Sequence, residues 1–140
     1  MTATVFLRVA SILSLLFAGG HTLGGSQSWS PAGETEVLQA MRSFRFDAEG
    51  VSRTYLEFYL GFGFILSVYL LLQAVVLWQL ATLARVEPAR LRPLVAAFLL
   101  AQVASGVLEW KFIFAVPMVF SALIALSLGA ALYASRRTRP

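Results

Sequence analysis

The sequence predicts an all-α membrane protein, in which four transmembrane helices form an antiparallel bundle and one short amphipathic helix occupies a loop. Hydrophobic residues make up 59% of the 140 positions and charged residues only 13%, whereas a soluble domain has about 25% charged residues. Residues 58–80 contain no charged side chain. About 23 helical residues cover about 35 Å, which is enough to cross a hydrocarbon core of about 30 Å. We therefore predict a single transmembrane domain over the whole chain.

The first two spans are predicted from the residues at their ends. We place the first span over residues 4–23, with Arg8 snorkelling to the interface. An arginine before an apolar run also resembles the start of a secretory signal peptide, but we expect this segment to be retained as a span. The second span is placed over residues 53–84, with Ser52 as its N-cap and Trp78 near its far interface.

The third and fourth spans follow a short basic turn. Their predicted ranges are residues 91–109 and 112–134, and Pro117 lies one or two turns into the fourth, where a local kink is tolerated. Small residues recur every four positions on both spans, which is typical of close helix packing in a membrane. These ridges are Ala97, Ala101 and Ser105 on the third span, and Ser121, Ala125 and Gly129 on the fourth.

The loop between the first and second spans, residues 24–51, is the longest polar segment. Ser30 is a suitable N-cap and Pro31 suits a first helical turn, so we predict a short amphipathic helix from Pro31 to Phe44. Its apolar residues recur at helical spacing and are Val37, Leu38, Met41 and Phe44. The alternative is an ordered connection with a few apolar anchors. A turn is predicted over residues 47–50.

The distribution of charges predicts the orientation of the spans. One side holds seven basic residues against one acidic residue, and the other holds four basic against six acidic. The basic residues of the first side are Arg8, Arg85, Arg90, Arg92, Arg136, Arg137 and Arg139. Because basic residues in short loops stay in the cytoplasm, both termini are predicted to be cytoplasmic and the 24–51 loop extracytoplasmic. Ten of the eleven basic residues are arginine, which favours a GC-rich bacterial genome and hence a bacterial inner membrane.

Composition also limits the classes of function. The net charge of +4 is spread over the ends of segments, which argues against nucleic acid binding. A single histidine with scattered carboxylates lacks the local ligand pair of a metal site. The sequence has no phosphate loop, nucleophile elbow or zinc-protease helix. We predict no metal and no cofactor. The expected partners are the lipid bilayer, an apolar ligand, and another copy of the chain or another membrane protein.

Ionisable residues near the outer ends of three spans form the predicted ligand site. His21 ends the first span, Glu57 begins the second and Glu109 ends the third, so the topology brings them to one level. Tyr59 joins them there, and Gln102 lies deeper on the helical stripe that ends at Glu109. Two interpretations stay open. The residues form either a hydrogen-bonded collar that ties the helix ends together, or a ligand or substrate site.

Glycines at this level reduce the side-chain bulk around the predicted site. They are Gly19, Gly20, Gly61 and Gly63. Their small size permits close approach of the first two spans and leaves room for the head group of a ligand. We expect His21, Glu57 and Glu109 to converge there, under the loop helix.

Two glutamines are predicted near the middle of the membrane. Gln73 and Gln102 each lie about 11 residues, or about 16 Å, from the inner ends of their spans. An amide in hydrocarbon needs a partner, so we predict a hydrogen bond between the two amides. That bond would serve either as a structural tie or as a polar point in a ligand cavity.

Two segments resemble a known group of proteins. They are GHTLGG at residues 20–25 and RTYLEFYLGFGFILSVYLLLQAVVLWQL at residues 53–80. The chain resembles a group of small, uncharacterised bacterial four-helix inner-membrane proteins, and its plan is similar to that of DoxX-like four-helix proteins. The resemblance covers roughly the first three fifths of the chain and implies no particular activity. It does imply that six residues act as a unit, namely His21, Tyr55, Phe58, Tyr59, Gly61 and Gly63.

Two function classes follow. The first is a non-enzymatic membrane protein that binds an apolar ligand or packs as a subunit against another membrane protein. The alternative is a membrane enzyme that acts on a lipid or isoprenoid, with His21, Glu57 or Glu109 as acid and base. Such an enzyme needs at least two of these groups within hydrogen-bond reach of a shared cavity. We favour the first class because polar groups are so few.

Overall fold

The computed structural model describes residues 2–26 and 33–136, and helices account for 79% of these residues. The elements, in chain order, are α1 (Ala3–Ser26), α2 (Glu36–Ser43), β1 (Arg45–Ala48), β2 (Val51–Thr54), α3 (Tyr55–Leu83), α4 (Arg92–Phe112) and α5 (Ala115–Ala134).

The four long helices confirm the predicted spans. Helices α1, α3, α4 and α5 contain 24, 29, 21 and 20 residues, and each is long and apolar enough to cross a membrane. Their ends differ from the predicted ends by at most three residues. For example, α1 runs to Ser26 and α4 runs to Phe112. The protein is therefore an all-α membrane protein with four candidate transmembrane helices and a short helix in the first loop.

Helix α3 begins on a different cap from the one predicted. Thr54 precedes its first turn, and the Thr54 hydroxyl accepts a hydrogen bond from the Glu57 amide at 3.1 Å. In return, Glu57 Oε2 accepts a hydrogen bond from the Thr54 amide at 2.7 Å. This reciprocal arrangement is a capping box, which satisfies two amides at the start of the helix. Ser52, the predicted cap, lies inside strand β2 instead.

A β-hairpin occupies the end of the loop, where only a turn was predicted. Strands β1 and β2 pair antiparallel, with Arg45 opposite Thr54 and Ala48 opposite Val51. The turn is confined to Glu49 and Gly50, whose φ angles are 50° and 78°. Positive φ at both central residues is typical of a type I′ turn, whose twist matches that of the two strands. The predicted turn over 47–50 is therefore two residues too long.

The predicted loop helix is present but shorter. Thr35 is the N-cap of α2, and its hydroxyl accepts a hydrogen bond from the Leu38 amide at 3.2 Å. Leu38 is buried, while the exposed Arg42 pairs with Glu34 at 3.5 Å. The predicted cap and first-turn proline, residues 30–31, lie outside the described residues.

The chain divides into two compact units, Met1–Phe17 with Leu70–Pro140, and Ala18–Tyr69. In the first unit, the ends of four helices meet around a small cavity of about 10 Å³. It is lined by residues from the start of α1, the end of α3, the start of α4 and the end of α5, including Leu7, Ala84, Arg92 and Ala131. The long helices that contribute to this unit therefore run in alternating directions.

The core of the first unit is apolar with a few serines. The side chains of Leu7, Leu77, Ile124 and Leu128 are almost completely buried. The Arg8 guanidinium lies 4.9 Å from the centre of the Trp78 ring, a cation–π contact that suits a cation near the membrane boundary.

Serine hydroxyls join the helices of this unit in pairs. Ser11 Oγ donates to the Ala74 carbonyl at 2.6 Å, and Gln73 Nε2 donates to Ser14 Oγ at 2.8 Å, which connects α1 to α3. Gln102 Nε2 donates to Ser121 Oγ at 3.3 Å, which connects α4 to α5. Each glutamine thus uses a serine as its acceptor. The predicted pairing of the two amides is wrong, although the need of each amide for a polar partner was predicted correctly.

The second unit contains the end of α1, helix α2, the hairpin and the start of α3. His21 on α1 and Gly63 on α3 are in contact, since His21 Nε2 lies 3.1 Å from the Gly63 carbonyl oxygen. This contact joins the two long helices within the unit.

Candidate functional site

An open groove of about 230 Å³ follows the start of α3. Its lining residues are Arg53, Glu57, Phe58, Gly61, Phe62 and Ile65. Two charged side chains line it on the side of the hairpin, and apolar side chains line the rest. The groove therefore changes from polar to apolar along the helix.

Helical spacing produces the groove. Glu57, Gly61 and Ile65 are four residues apart, so they lie on one row of α3, with Phe58 and Phe62 on the next row. Gly61 has no side chain, and a Cβ atom built there would meet no heavy atom within 4 Å. The missing side chain is what opens a notch between the aromatic rings and Ile65.

Aromatic contacts from the hairpin support one wall of the groove. The Phe46 ring on β1 lies 4.9 Å from the Tyr55 ring and 5.4 Å from the Phe58 ring. Phe58 in turn meets Phe62 edge-to-face at 5.0 Å. Such edge-to-face pairs contribute about 0.5–1.5 kcal/mol beyond the area that they bury. The hairpin therefore holds the aromatic wall in place.

The strand register explains how Arg53 reaches the groove. Phe46 and Arg53 are directly opposite each other in the hairpin. Directly opposite residues project from the same face of an antiparallel pair, so Arg53 shares a face with the ring that packs on α3. Arg45 and Asp47 alternate to the other face.

The two charged groups at the polar end remain available for a ligand. Arg53 Nη1 donates to the Ser52 carbonyl at 3.0 Å, and Glu57 Oε2 accepts from the Thr54 amide. In the described part of the chain, neither group takes part in an ion pair. The remaining guanidinium N–H groups and the second carboxylate oxygen can therefore bind groups of opposite charge.

Only one of the five predicted site residues, Glu57, lines this groove. His21 is bonded to the Gly63 carbonyl, and because a carbonyl oxygen only accepts, His21 Nε2 must carry a proton in this contact. Tyr59 lies on α3 with half of its surface exposed. These three residues therefore belong to the second unit. His21 contacts the Gly63 carbonyl, and Glu57 contacts the Thr54 amide.

The other two predicted residues belong to the first unit. Gln102 is buried, and its amide is engaged by Ser121. Glu109, near the end of α4, has a buried Oε2 atom with no hydrogen-bond partner among the described residues. The convergence of His21, Glu57 and Glu109 stays a prediction.

Sequence reasoning found only part of the groove. Phe62 and Ile65 were not selected, because an aromatic-rich transmembrane helix ordinarily uses such side chains for packing or lipid contact. Phe58 was named only through the resemblance, and Arg53 only as the start of the second span. Gly61, which was predicted to leave room for a ligand head group, interrupts a row of larger side chains close to the two charges. Residues 2–26 and 33–136 contain no group of three or more His, Cys, Asp or Glu side chains that could hold a metal ion.

Comparison with known proteins gives no relative. No family model, no curated protein and no solved structure matches this chain. The resemblance to small four-helix membrane proteins stays a prediction from the two quoted segments, and the function has to be argued from the groove itself.

Proposed function

We propose that this chain is a small, non-enzymatic integral membrane protein that holds the apolar chain of a membrane lipid in the groove of α3. The observation that carries the proposal is the notch at Gly61, open and bordered by Phe58, Phe62 and Ile65. These three side chains are 48%, 61% and 55% exposed, so a ligand could contact all of them.

Inside a bilayer, the hydrophobic effect does not drive a lipid into the groove, because its chains already lie in hydrocarbon. Retention has to come from van der Waals contacts within the notch and from polar contacts at its charged end. The groove offers both, since the rings and Ile65 surround the notch, and Arg53 and Glu57 stand at one end.

Binding explains the groove better than catalysis. A lipid-modifying enzyme needs an acid and a base that share a cavity. Among the described residues, Glu57 is the one carboxylate that lines this groove, and one of its oxygens is engaged in capping α3. Arginine is always protonated and does not act as a base at physiological pH.

The proposal extends to location. The excess of arginine near both ends of the chain and in the turn before α4 supports an orientation with both termini in the cytoplasm of a bacterial inner membrane. In that orientation the hairpin, and with it the charged end of the groove, faces the outside.

Filling the notch tests the proposal. The Gly61→Leu side chain would occupy the space that a lipid chain needs, and the position has room for it. The matched control is Gly129→Leu on α5, where a Cβ atom also meets nothing within 4 Å. Lipid that remains with the protein after purification in mild detergent is counted by native mass spectrometry.

We expect the wild type and Gly129→Leu to retain lipid. We expect Gly61→Leu to retain about fivefold less, the equivalent of about 1 kcal/mol of lost packing. Equal amounts of lipid on all three proteins would contradict the proposal.

A further inference from the structure

We propose that the groove prefers phospholipids with a primary-amine head group, with the lipid phosphate at Arg53 and the ammonium group at Glu57. The inference rests on the proposed function and adds the chemical class of the lipid. It depends on the presence of one cation and one anion, side by side, at the polar end of an otherwise apolar groove.

The phosphate is assigned to Arg53 by charge and by hydrogen-bonding capacity. A guanidinium group has five N–H donors in a planar fork that suits phosphate oxygens. One of its nitrogens, Nη1, is occupied by the Ser52 carbonyl, which fixes the side chain against its own strand. The other nitrogens are left to donate to a phosphate at the membrane surface.

The ammonium group is assigned to Glu57. Its Oε2 atom is held by the Thr54 amide at 2.7 Å, so the carboxylate has a fixed position at the first turn of α3. The other oxygen can accept a hydrogen bond from an N–H donor. A primary ammonium group supplies such donors, whereas the trimethylammonium of a choline head group has none.

Head groups without a cation fit less well. A phosphatidylglycerol head group would bring its phosphate to Arg53 but place no positive charge beside Glu57. Its net negative charge would then be close to an unpaired carboxylate, which is unfavourable. A zwitterionic amine head group satisfies both side chains at once.

The order of polar and apolar groups also matches a lipid better than a protein. Along α3, the charged residues Arg53 and Glu57 come first, then the notch at Gly61, then Ile65 deeper in the apolar span. A phospholipid has the same order, head group first and chain second.

The experiment measures binding of three dioleoyl phospholipids, with ethanolamine, choline and glycerol head groups, to the full chain by native mass spectrometry after delipidation. Glu57→Gln removes the charge but keeps the capping box, since glutamine also serves at this position. Arg53→Gln removes the phosphate contact. The controls are Asp47→Asn, on the opposite face of the hairpin, and Arg42→Gln on α2, whose guanidinium pairs with Glu34.

For the wild type, we expect about fivefold tighter binding of the ethanolamine lipid than of the choline lipid, the scale of one partly exposed charge contact. Glu57→Gln should bring this ratio to about one, because it should weaken the ethanolamine lipid, which loses both the charge and the hydrogen-bond acceptor, more than the choline lipid, which loses only the charge. Arg53→Gln should weaken all three lipids about fivefold. Both control variants should behave as the wild type.

The remaining outcomes separate the inference from the proposed function. Equal binding of the ethanolamine and choline lipids, tighter binding of the glycerol lipid, or an unchanged ratio in Glu57→Gln would overturn the head-group assignment. In each of those cases, loss of binding in Gly61→Leu would still support the groove as a lipid site. Binding that Gly61→Leu leaves unchanged would overturn both.

Discussion

Thr54 and Glu57 each satisfy the other's backbone amide, with the carboxylate 2.7 Å from the Thr54 nitrogen and the hydroxyl 3.1 Å from the Glu57 nitrogen. This pair sits where the hairpin ends and the longest helix begins. Glu57 therefore has a structural role that is independent of any ligand, and a substitution there has to be chosen so that the two roles can be separated.

The first prediction concerns this cap. Thr54→Ala and Glu57→Ala should each lower the free energy of unfolding by about 0.5–2 kcal/mol, because each leaves an amide at the start of α3 without its partner. Glu57→Gln should change it much less, since the amide side chain can still accept the hydrogen bond. The measurement is thermal or denaturant unfolding in detergent. Ser52→Ala is the control and should stay within about 0.5 kcal/mol. A larger effect at Ser52 than at Thr54 would contradict the assigned cap.

The second prediction concerns the buried glutamines. Gln73→Leu and Gln102→Leu should each lower stability by about 0.6 kcal/mol and by at most about 1.7 kcal/mol, the range for hydrogen bonds between membrane helices. Double-mutant cycles identify the partners. Gln73 should couple to Ser14, and Gln102 should couple to Ser121.

The same cycles contain their own control. The Gln73 and Gln102 substitutions should be additive, because the two side chains share no hydrogen bond. A coupling between the two glutamines as large as the coupling between Gln73 and Ser14 would show that the amides meet after all.

The third prediction concerns the hairpin turn. Glu49 has a φ angle of 50°, which is unfavourable for glutamate and much less so for asparagine. Glu49→Asn should therefore slow amide hydrogen exchange in the two strands, by about fivefold if it gains about 1 kcal/mol. Gly50→Val should accelerate exchange, because its φ angle of 78° strongly disfavours a β-branched residue. Slower exchange in Gly50→Val would show that the turn is not of this type.

The fourth prediction concerns orientation. A reporter that is active only in the cytoplasm should work when fused after Pro140, and one that is active only outside should work when inserted beside Gly33. The same pair of fusions in a variant with Arg85, Arg90 and Arg92 changed to glutamine should give a mixed orientation, since these arginines carry the bias in the short turn. An external C-terminus in the wild type would refute the orientation.

The helices were predictable because their apolar runs are long and their ends carry charges or aromatic residues. The second span illustrates this, since 23 uncharged residues define it and its bounds were predicted within two residues. The hairpin was not predictable in the same way. Its strands are four residues each, and RFDA with VSRT shows little alternation of apolar and polar side chains.

The predicted hydrogen bond between the two glutamine side chains was wrong for a different reason. The depth of a residue in the membrane can be estimated by counting residues from the end of its helix. This count placed Gln73 and Gln102 at the same depth. Which way each amide faces depends on the rotation of the helix about its axis, and on competing acceptors. Ser14 and Ser121 provide those acceptors on α1 and α5.

For the groove, depth and charge indicated Glu57, but the contribution of Arg53 depends on the strand register, which the sequence did not reveal.

The two-residue turn at Glu49 and Gly50 has a consequence for the length of this segment. Because neighbouring residues in a strand face opposite ways, adding or deleting one residue between positions 45 and 54 would exchange the two faces of the hairpin. Phe46 would then lose its place against Tyr55 and Phe58, and Arg53 would leave the groove. The spacing from Phe46 to the cap at Thr54 therefore cannot vary. These contacts fix the length of the hairpin. Any protein that shares this groove should therefore keep the same number of residues between positions 45 and 54.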